Sequence, residues 1–436
     1  MKNIIISSNA SGNGKTTATL GLIKALIKRG YTVQPYKVGP DYIDSAFHSS
    51  IAGIQSRNLD IFLMGENGVK ASLSRGKSDY GIIEGVMGLY DGKGIDAEYS
   101  TAHVARLLNI PVILVLSPRP QVATLCAEIN GLVGFDNIQI AGIILNNVGE
   151  DYFKLLKAAI EHNCSVPVFG FLPYDESISL QSRHLGLVQS SEVERLNEKI
   201  EICSDRIEKH IDLDEILNCC QAGETFADDY HLPYTGLNIS VAYDKAFSFY
   251  YKENLELLEE AGKVTYFSPL QDEMLPHNTQ FLYLGGGYPE VFLQELSRNR
   301  KMLGSIRDVL NDGVRCYAEC GGLMYLTDNI DGCSVTGFFN GSACMSNRLQ
   351  NFGYATLEVT ASNVLLPPGL QMNCHEFHNS CVNINEGNIY TVKQSSYDGS
   401  VKQWSEGYIK KNTLGTYDHV HFFRNMEFIK ALLYGT

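Results

Sequence analysis

Two short stretches carry residue types that can do chemistry at the spacing the chemistry needs. In SSNASGNGKTTATL, residues 7–20, Gly12, Asn13 and Gly14 lead into Lys15, Thr16 and Thr17 between an apolar run and a helical pattern. A glycine-rich turn that opens a helix presents backbone N–H groups to phosphate oxygens. A lysine placed like Lys15 reaches the β- and γ-phosphates of ATP, and the Thr16 hydroxyl is placed to ligate Mg²⁺. The first glycine of the usual GxxxxGK[ST] pattern is replaced by Asn9. A softened turn with a surface lysine is the plainer reading, but it does not explain why strand, turn, GKTT and helix come in this order.

The second stretch is VRCYAECGGLMYL, residues 314–326: an apolar strand, a turn of small residues carrying Cys320, and an apolar helix. A sharp strand-to-helix turn exposes its nucleophile at a helix N-terminus, which favours the reactive thiolate. The N–H of Gly321 is a candidate oxyanion donor, with a second from Gly286 or Gly287 in LGGGYPE. The other cysteines lack this setting and read as small buried hydrophobes. A nucleophilic thiol needs a base. Two histidine pairs lie downstream, His375 with His378 and His419 with His421. Alternate positions on a strand share a face, so His419 and His421, two apart, can approach one site. The base is assigned to the later pair, with His419 first, and substrate contacts to the earlier one.

Mg²⁺ takes one or two carboxylates besides phosphate and water. Glu84 ends the apolar run of YGIIEGVMGLYDG, at the strand edge where open α/β sheets bind ligands. Asp41 and Asp44, in KVGPDYIDSAFH, fall in a Gly-Pro loop, where helix capping or turn chemistry is the ordinary alternative. Asn146 follows another apolar run and is placed either to read an adenine edge or simply to make a turn.

These groups need rigid elements behind them. Apolar, β-branched runs at 3–7, 32–37, 80–84, 111–116, 138–145 and 167–172 alternate with helical patterns at 16–29, 100–108, 121–133 and 152–162. Strands that are apolar on both faces and separated by helices imply a parallel sheet covered on both sides. Residues 191–234 are charged and helical without a buried strand, which predicts a connection. A second alternation starts at 239–243 and turns strand-rich beyond Leu326. The expected organisation is a P-loop domain over 1–190, a helical linker over 191–234 and a thiol-bearing α/β domain over 235–436.

The 436 residues carry 49 acidic against 35 basic side chains with no basic block, which argues against nucleic acid as a partner. No apolar run reaches membrane-spanning length and residues 1–7 are too short for a signal core, so a cytoplasmic protein without a membrane partner is expected. Eleven cysteines, an odd number without CxxC pairs, fit a reducing compartment better than a disulfide framework.

Taken together, SGNGKTT, KVGPDYID, SRNLD, IEGVMGLYDG, STAHVARLL, RHLGLV, GGGYPE, AECGGLMYL, HEFHNS and HVHF resemble, in order and over nearly the whole chain, the cobyrinic acid a,c-diamide synthases of cobalamin biosynthesis. The resemblance implies a dethiobiotin-synthetase-like P-loop domain and a class I glutaminase-like α/β domain. It implies ATP and Mg²⁺ phosphorylating a corrinoid carboxylate, with ammonia drawn from glutamine by Cys320 and His419, at the c and then the a acetate. Asp41, Asp44, Glu84 and Asp91 fall on family positions linked to metal binding or catalysis. Other tetrapyrroles, nickel sirohydrochlorin or hydrogenobyrinic acid, are alternative substrates, and a homodimer is compatible with the sequence. A P-loop switch ATPase accounts for the first half alone. Where many class I glutaminases carry His-x-Glu, this chain has His419-Val420-His421, so no carboxylate orienting the base is identified.

Overall fold

The computed structural model describes residues 1–178 and 190–435. They divide into two compact units, Met1–Ile61 with Glu66–Asp228, and Phe62–Gly65 with Asp229–Thr436. The string RHLGLV, Arg183 included, lies outside the described residues.

In the first unit, β1 (Lys2–Ser7), α1 (Lys15–Lys28), β2 (Val33–Val38), α2 (Tyr42–Ala52), β3 (Arg57–Leu59), α3 (Ile61–Arg75), β4 (Tyr80–Glu84), α4 (Thr101–Leu108), β5 (Val112–Leu116), α5 (Ala123–Phe135), β6 (Ile140–Asn146), α6 (Glu150–Asn163) and β7 (Val168–Leu172) alternate. The strands stand side by side in the order β3-β2-β4-β1-β5-β6-β7, each pair parallel. Ile4, Ile6, Ile82, Ile113 and Val115 are buried with α1 residues such as Leu22 and Leu26, which is why these strands read as unbroken apolar runs. Each such side chain contributes roughly 1.5–3 kcal/mol on burial.

Two segments differ from expectation. The Gly-Pro stretch is not an open loop, because α2 begins there: the Asp41 carboxylate accepts from the Ile43 and Asp44 N–H groups and caps the helix, which Gly53 ends in the left-handed region. The charged segment after residue 190 forms α7 (Ser190–His210), α8 (Leu213–Cys219) and the short β8 (Gln221–Ala222), and it packs with the first unit. A Cβ at Gly21 of α1 would lie 2.6 Å from Cys203 Sγ and 2.7 Å from Ile207 Cδ1, so the glycine lets α1 and α7 approach closely.

The second unit contains β9 (Leu237–Ala242), α9 (Lys252–Ala261), β10 (Gly262–Phe267), β11 (Phe281–Leu284), α10 (Leu293–Arg298), α11 (Arg300–Asn311), β12 (Arg315–Glu319) and α12 (Gly321–Tyr325). The helices α10 and α11 are parted at Asn299, whose side chain caps α11 at Met302 N. After α12 come β13 (Asn329–Ile330), β14 (Cys333–Ser334), β15 (Gly341–Val359), β16 (Gln371–Ile384), β17 (Asn388–Ser395), β18 (Val401–Lys410), β19 (Thr413–Thr416), β20 (His419–Val420) and α13 (Met426–Tyr434). The sheet runs β10-β9-β11-β12-β19-β18-β17-β15-β13-β14, with β16 paired to β15 and β20. On one face of β11 and β12, Leu282, Leu284, Cys316 and Ala318 pack with Leu323 and Phe339. Tyr283 and Tyr317 fall on the opposite face, by the two-residue period of a strand.

Candidate active site

The C-terminal ends of β1, β2, β4 and β6 bring the first set of residues to one edge of the sheet. Gly12 and Gly14 both take positive φ, 82° and 90°, and Gly14 is the residue on which α1 starts. Asn146 ends β6 and donates from Nδ2 to the Asn13 carbonyl at 3.1 Å. A Cβ on Gly14 would sit 2.2 Å from that nitrogen, so a glycine is required twice over, by conformation and by contact. Asn146 therefore braces the phosphate turn. Lys15 is largely buried and donates to the carbonyls of Ala10 and Met87. Burial first, and then the neighbouring Lys37, lower its pKa.

Thr16 on α1 donates its hydroxyl to Glu84 Oε1 at 2.6 Å. Lys37 stands opposite Glu84 in the β2–β4 register and reaches both Glu84 Oε1, at 2.9 Å, and Asp44 Oδ2, at 2.6 Å. His48 Nε2 lies 2.6 Å from Glu84 Oε2. Burial opposes ionisation of Glu84, but Lys37, His48 and Thr16 outweigh it and hold the carboxyl well below its usual range. Asp44 goes the other way: burial first and then the Glu84 charge push it up to about 6 despite Lys37. Asp91 accepts from Gly88 N at 2.9 Å and so shapes the turn after β4, while Thr17 continues the first turn of α1. The Thr16 hydroxyl and the Glu84 and Asp44 carboxylates offer oxygens, hard ligands that fit Mg²⁺, beside the Lys37 and His48 nitrogens. Among the described residues no group of three His, Cys, Asp or Glu forms a closed metal cage, which Mg²⁺ shared with phosphates does not need. His48 and the Lys37 pairing were not singled out in the sequence; a histidine one helical turn beyond Asp44 was the available signal.

In the second unit, β12 runs into Cys320, whose φ of 49° and ψ of −104° lie outside the regions open to an ordinary L-residue, and α12 follows at once. Such a backbone costs on the order of 1–3 kcal/mol and is held by its surroundings. Two of these are Cys320 N donating to Thr416 O at 2.7 Å and Met324 N donating to Cys320 O at 3.1 Å. The His419 imidazole interacts with the Cys320 side chain. Burial would lower the imidazole pKa, but Cys320 and then Glu319 override it and push it up to about 10. The glycine loop abuts this pair: a Cβ on Gly286 would lie 2.6 Å from His419 Cε1, and one on Gly321 would lie 3.1 Å from Gly287 N. Gly286, Gly287 and Gly321 are thus gathered around the thiol and its base.

The members of each histidine pair have different surroundings. His421 falls beyond β20; its Nδ1 accepts from Phe423 N and its Nε2 lies 3.5 Å from Glu253, so it does not share the face of His419. Both ring nitrogens of His378 are engaged within the protein, one with Glu376 at 2.9 Å and the other with Ser380 O at 2.9 Å. His375 pairs with His419 in the β16–β20 register and is pushed down to about 3 by burial and by that neighbour. Glu319, which sequence inspection passed over, lies 3.7 Å from His419 Nδ1 through Oε2.

Residues 4–188 match the CobQ/CobB/MinD/ParA nucleotide binding domain family, and residues 238–427 match the CobB/CobQ-like glutamine amidotransferase domain family. Over its full length the chain is 60% identical to a cobyrinate a,c-diamide synthase of Clostridium tetani, covering 99% of this chain and 100% of that protein. It is 59% identical to one of Clostridium acetobutylicum, over 99% and 100%. It is 41% identical to one of Listeria innocua, over 98% and 97%. At these identities over nearly the whole length of both proteins, the chain belongs to the cobyrinate a,c-diamide synthase family.

Proposed function

We propose that the protein amidates the a- and c-acetate carboxylates of cobyrinic acid with ATP and glutamine. The observation that carries this reading is the union, in one chain, of a phosphate turn whose threonine meets Glu84 and a strained Cys320 that interacts with His419. A switch ATPase uses the first and has no use for the second.

A carboxylate oxygen is a poor leaving group, so the γ-phosphoryl group of ATP passes to it and leaves an acyl phosphate. Gly12, Asn13 and Gly14 supply backbone N–H groups to the phosphates, and Lys15 swings from its carbonyl partners to their oxygens. Thr16, Glu84 and Asp44 are the residues that would hold Mg²⁺, with Asp41 shaping that loop from its capping position; the ion neutralises phosphate charge. Asp91, on the turn after β4, serves the same carboxylate-activating step. In the other unit the Cys320 sulfur attacks the glutamine amide carbon while Gly321 and Gly287 N–H groups receive the developing oxyanion. His419 delivers a proton to the departing ammonia and later takes one from the water that clears the glutamyl thioester. Ammonia displaces phosphate from the acyl phosphate, giving the amide.

Mass spectrometry of cobyrinic acid incubated with ATP, Mg²⁺ and glutamine tests the whole reading. Two successive products, each about one dalton lighter as OH gives way to NH₂, are expected. Cys320→Ser should lose both with glutamine and regain them with free ammonia. Unchanged cobyrinic acid under turnover conditions, or glutamine-supported product from Cys320→Ser, overturns it.

A further inference from the structure

We infer that Glu319, the residue immediately before the nucleophile, is the carboxylate that orients His419, in place of the missing acid two residues after the base. The inference rests on the Cys320–His419 reading above and adds a positioning residue to it.

The strand register builds the arrangement. Tyr317 and Glu319 are two apart on β12 and share a face, and Tyr283 of β11 stands directly opposite Tyr317. Their rings stack with centroids 5.5 Å apart, and each hydroxyl donates to Glu319, Tyr317 to Oε1 and Tyr283 to Oε2, both at 2.7 Å. Val420 N, from β20, donates to Oε1 at 3.2 Å. Three donors thus fix both oxygens of a buried carboxylate, and Oε2 is left aimed at His419 Nδ1. At 3.7 Å the contact is an ion-pair distance rather than a hydrogen bond, and such contacts tighten when a substrate is bound. All three donors are neutral, so none of them supplies a positive charge that would compete with the imidazolium.

The other titratable groups facing the ring do not compete. Cys320 is the proton partner. His375 is held neutral by burial and by His419 itself, and so offers no negative charge. Asp418 precedes His419, but its Oδ2 accepts from Thr416 Oγ1 at 2.9 Å. Burial also raises its pKa.

The test compares Glu319→Gln with Glu319→Asp in the full chain. Glutamine-supported and ammonia-supported amidation are measured, together with the pH dependence of Cys320 alkylation by iodoacetamide, read on the Cys320 peptide. General acid–base positioning is worth about 10²–10⁴-fold. Glu319→Gln should therefore lower the glutamine kcat by about 10²-fold or more, with KM for glutamine and the ammonia-supported rate within about twofold. The acid limb of Cys320 alkylation should move to higher pH, and Glu319→Asp should recover part of that shift. An unmoved alkylation limb with unchanged glutamine kcat overturns the inference. Should ammonia-supported synthesis also collapse, showing a misfolded chain, Tyr317→Phe and Tyr283→Phe decide. Each removes one oxygen, and each should lower only the glutamine kcat; unchanged values in both overturn it. Glutamine-supported turnover in Cys320→Ser would instead overturn the reading on which the inference stands.

Discussion

Replacing Gly286 with alanine adds one methyl group at the place where the loop touches the base. Gly286 takes no positive φ, so alanine is allowed by its backbone, and its N–H is kept. The only new feature is the Cβ, which would lie 2.6 Å from His419 Cε1 and 3.2 Å from Phe249 Cβ. Carbon atoms pack at about 3.5–4.0 Å, so roughly 1 Å must be opened against the imidazole. His419 is buried between Glu319 and Cys320 and has no slack in which to retreat without leaving one of them. A 1 Å misplacement of a reacting group costs on the order of 10²-fold, or about 2.7 kcal/mol of transition-state stabilisation. Overpacking adds about 1–3 kcal/mol of lost stability.

Release of glutamate from glutamine and of ADP in the presence of ammonium chloride separates the two half-reactions. The expected outcome is glutamate release down by about 10²-fold with ammonia-supported ADP formation within about twofold of the parent. If Gly286→Ala hydrolysed glutamine at the parental rate with an unchanged melting temperature, the contact between the glycine loop and His419 would not be the constraint argued for it.

Gly304→Ala is the opposite case: it lies inside α11, nothing stands within 4 Å of the added Cβ, and the gain in helix propensity should raise the melting temperature by about 2–4 °C in calorimetry without touching either activity. Glu84→Gln removes the charge shared by Lys37 and His48; ADP formation should fall by about 10²-fold with either nitrogen donor, glutamate release should persist, and breaking the buried pair should cost about 3–5 kcal/mol in denaturant unfolding. An Asp44 pKa raised in the folded state to about 6 from 3.8 means that folding takes up a proton between those values, so this group's contribution to stability falls as pH rises through that window. The melting temperature of Asp44→Asn, followed from pH 4 to 6, should lack that component of the slope; parallel curves for the two proteins would show that Asp44 titrates normally.

The parts of this fold that can be read from residue order are those where local pattern and burial agree. The runs at Tyr80–Glu84 and Val112–Leu116 are buried on both faces, so they stand out as apolar blocks, and GNGKTT declares the helix that follows it. The start of α2 does not stand out, because an aspartate after Gly-Pro serves equally as a loop residue or a cap until its partners at Ile43 and Asp44 are known. Pairings between distant strands are hidden for a different reason. Lys37 meets Glu84 only because β2 lies beside β4, and Glu319 meets His419 only because β20 is brought against the end of β12. The His-x-His spacing even misleads, since the strand it implies ends at Val420 and turns His421 toward Glu253.

The two carboxylates that end buried strands show why donor chemistry, and not burial alone, separates their roles. Glu84 and Glu319 are both almost fully shielded from solvent and each must recover the free energy of lost hydration through its donors. Glu84 does so with a lysine, a histidine and a threonine hydroxyl, so much of its charge is already matched by Lys37. It can take on a cation only as that match is redistributed toward Asp44, which lies within reach of the same ammonium. Glu319 does so with two phenols and a backbone amide, none of which carries charge. Burial first, and then the Glu319 charge itself, raise both phenol pKa values well above their normal value, so they remain donors. The first arrangement is a charge-balanced site for binding phosphate and metal. The second delivers an uncancelled negative charge to one imidazole, which is what a thiol nucleophile with no acid after its histidine requires.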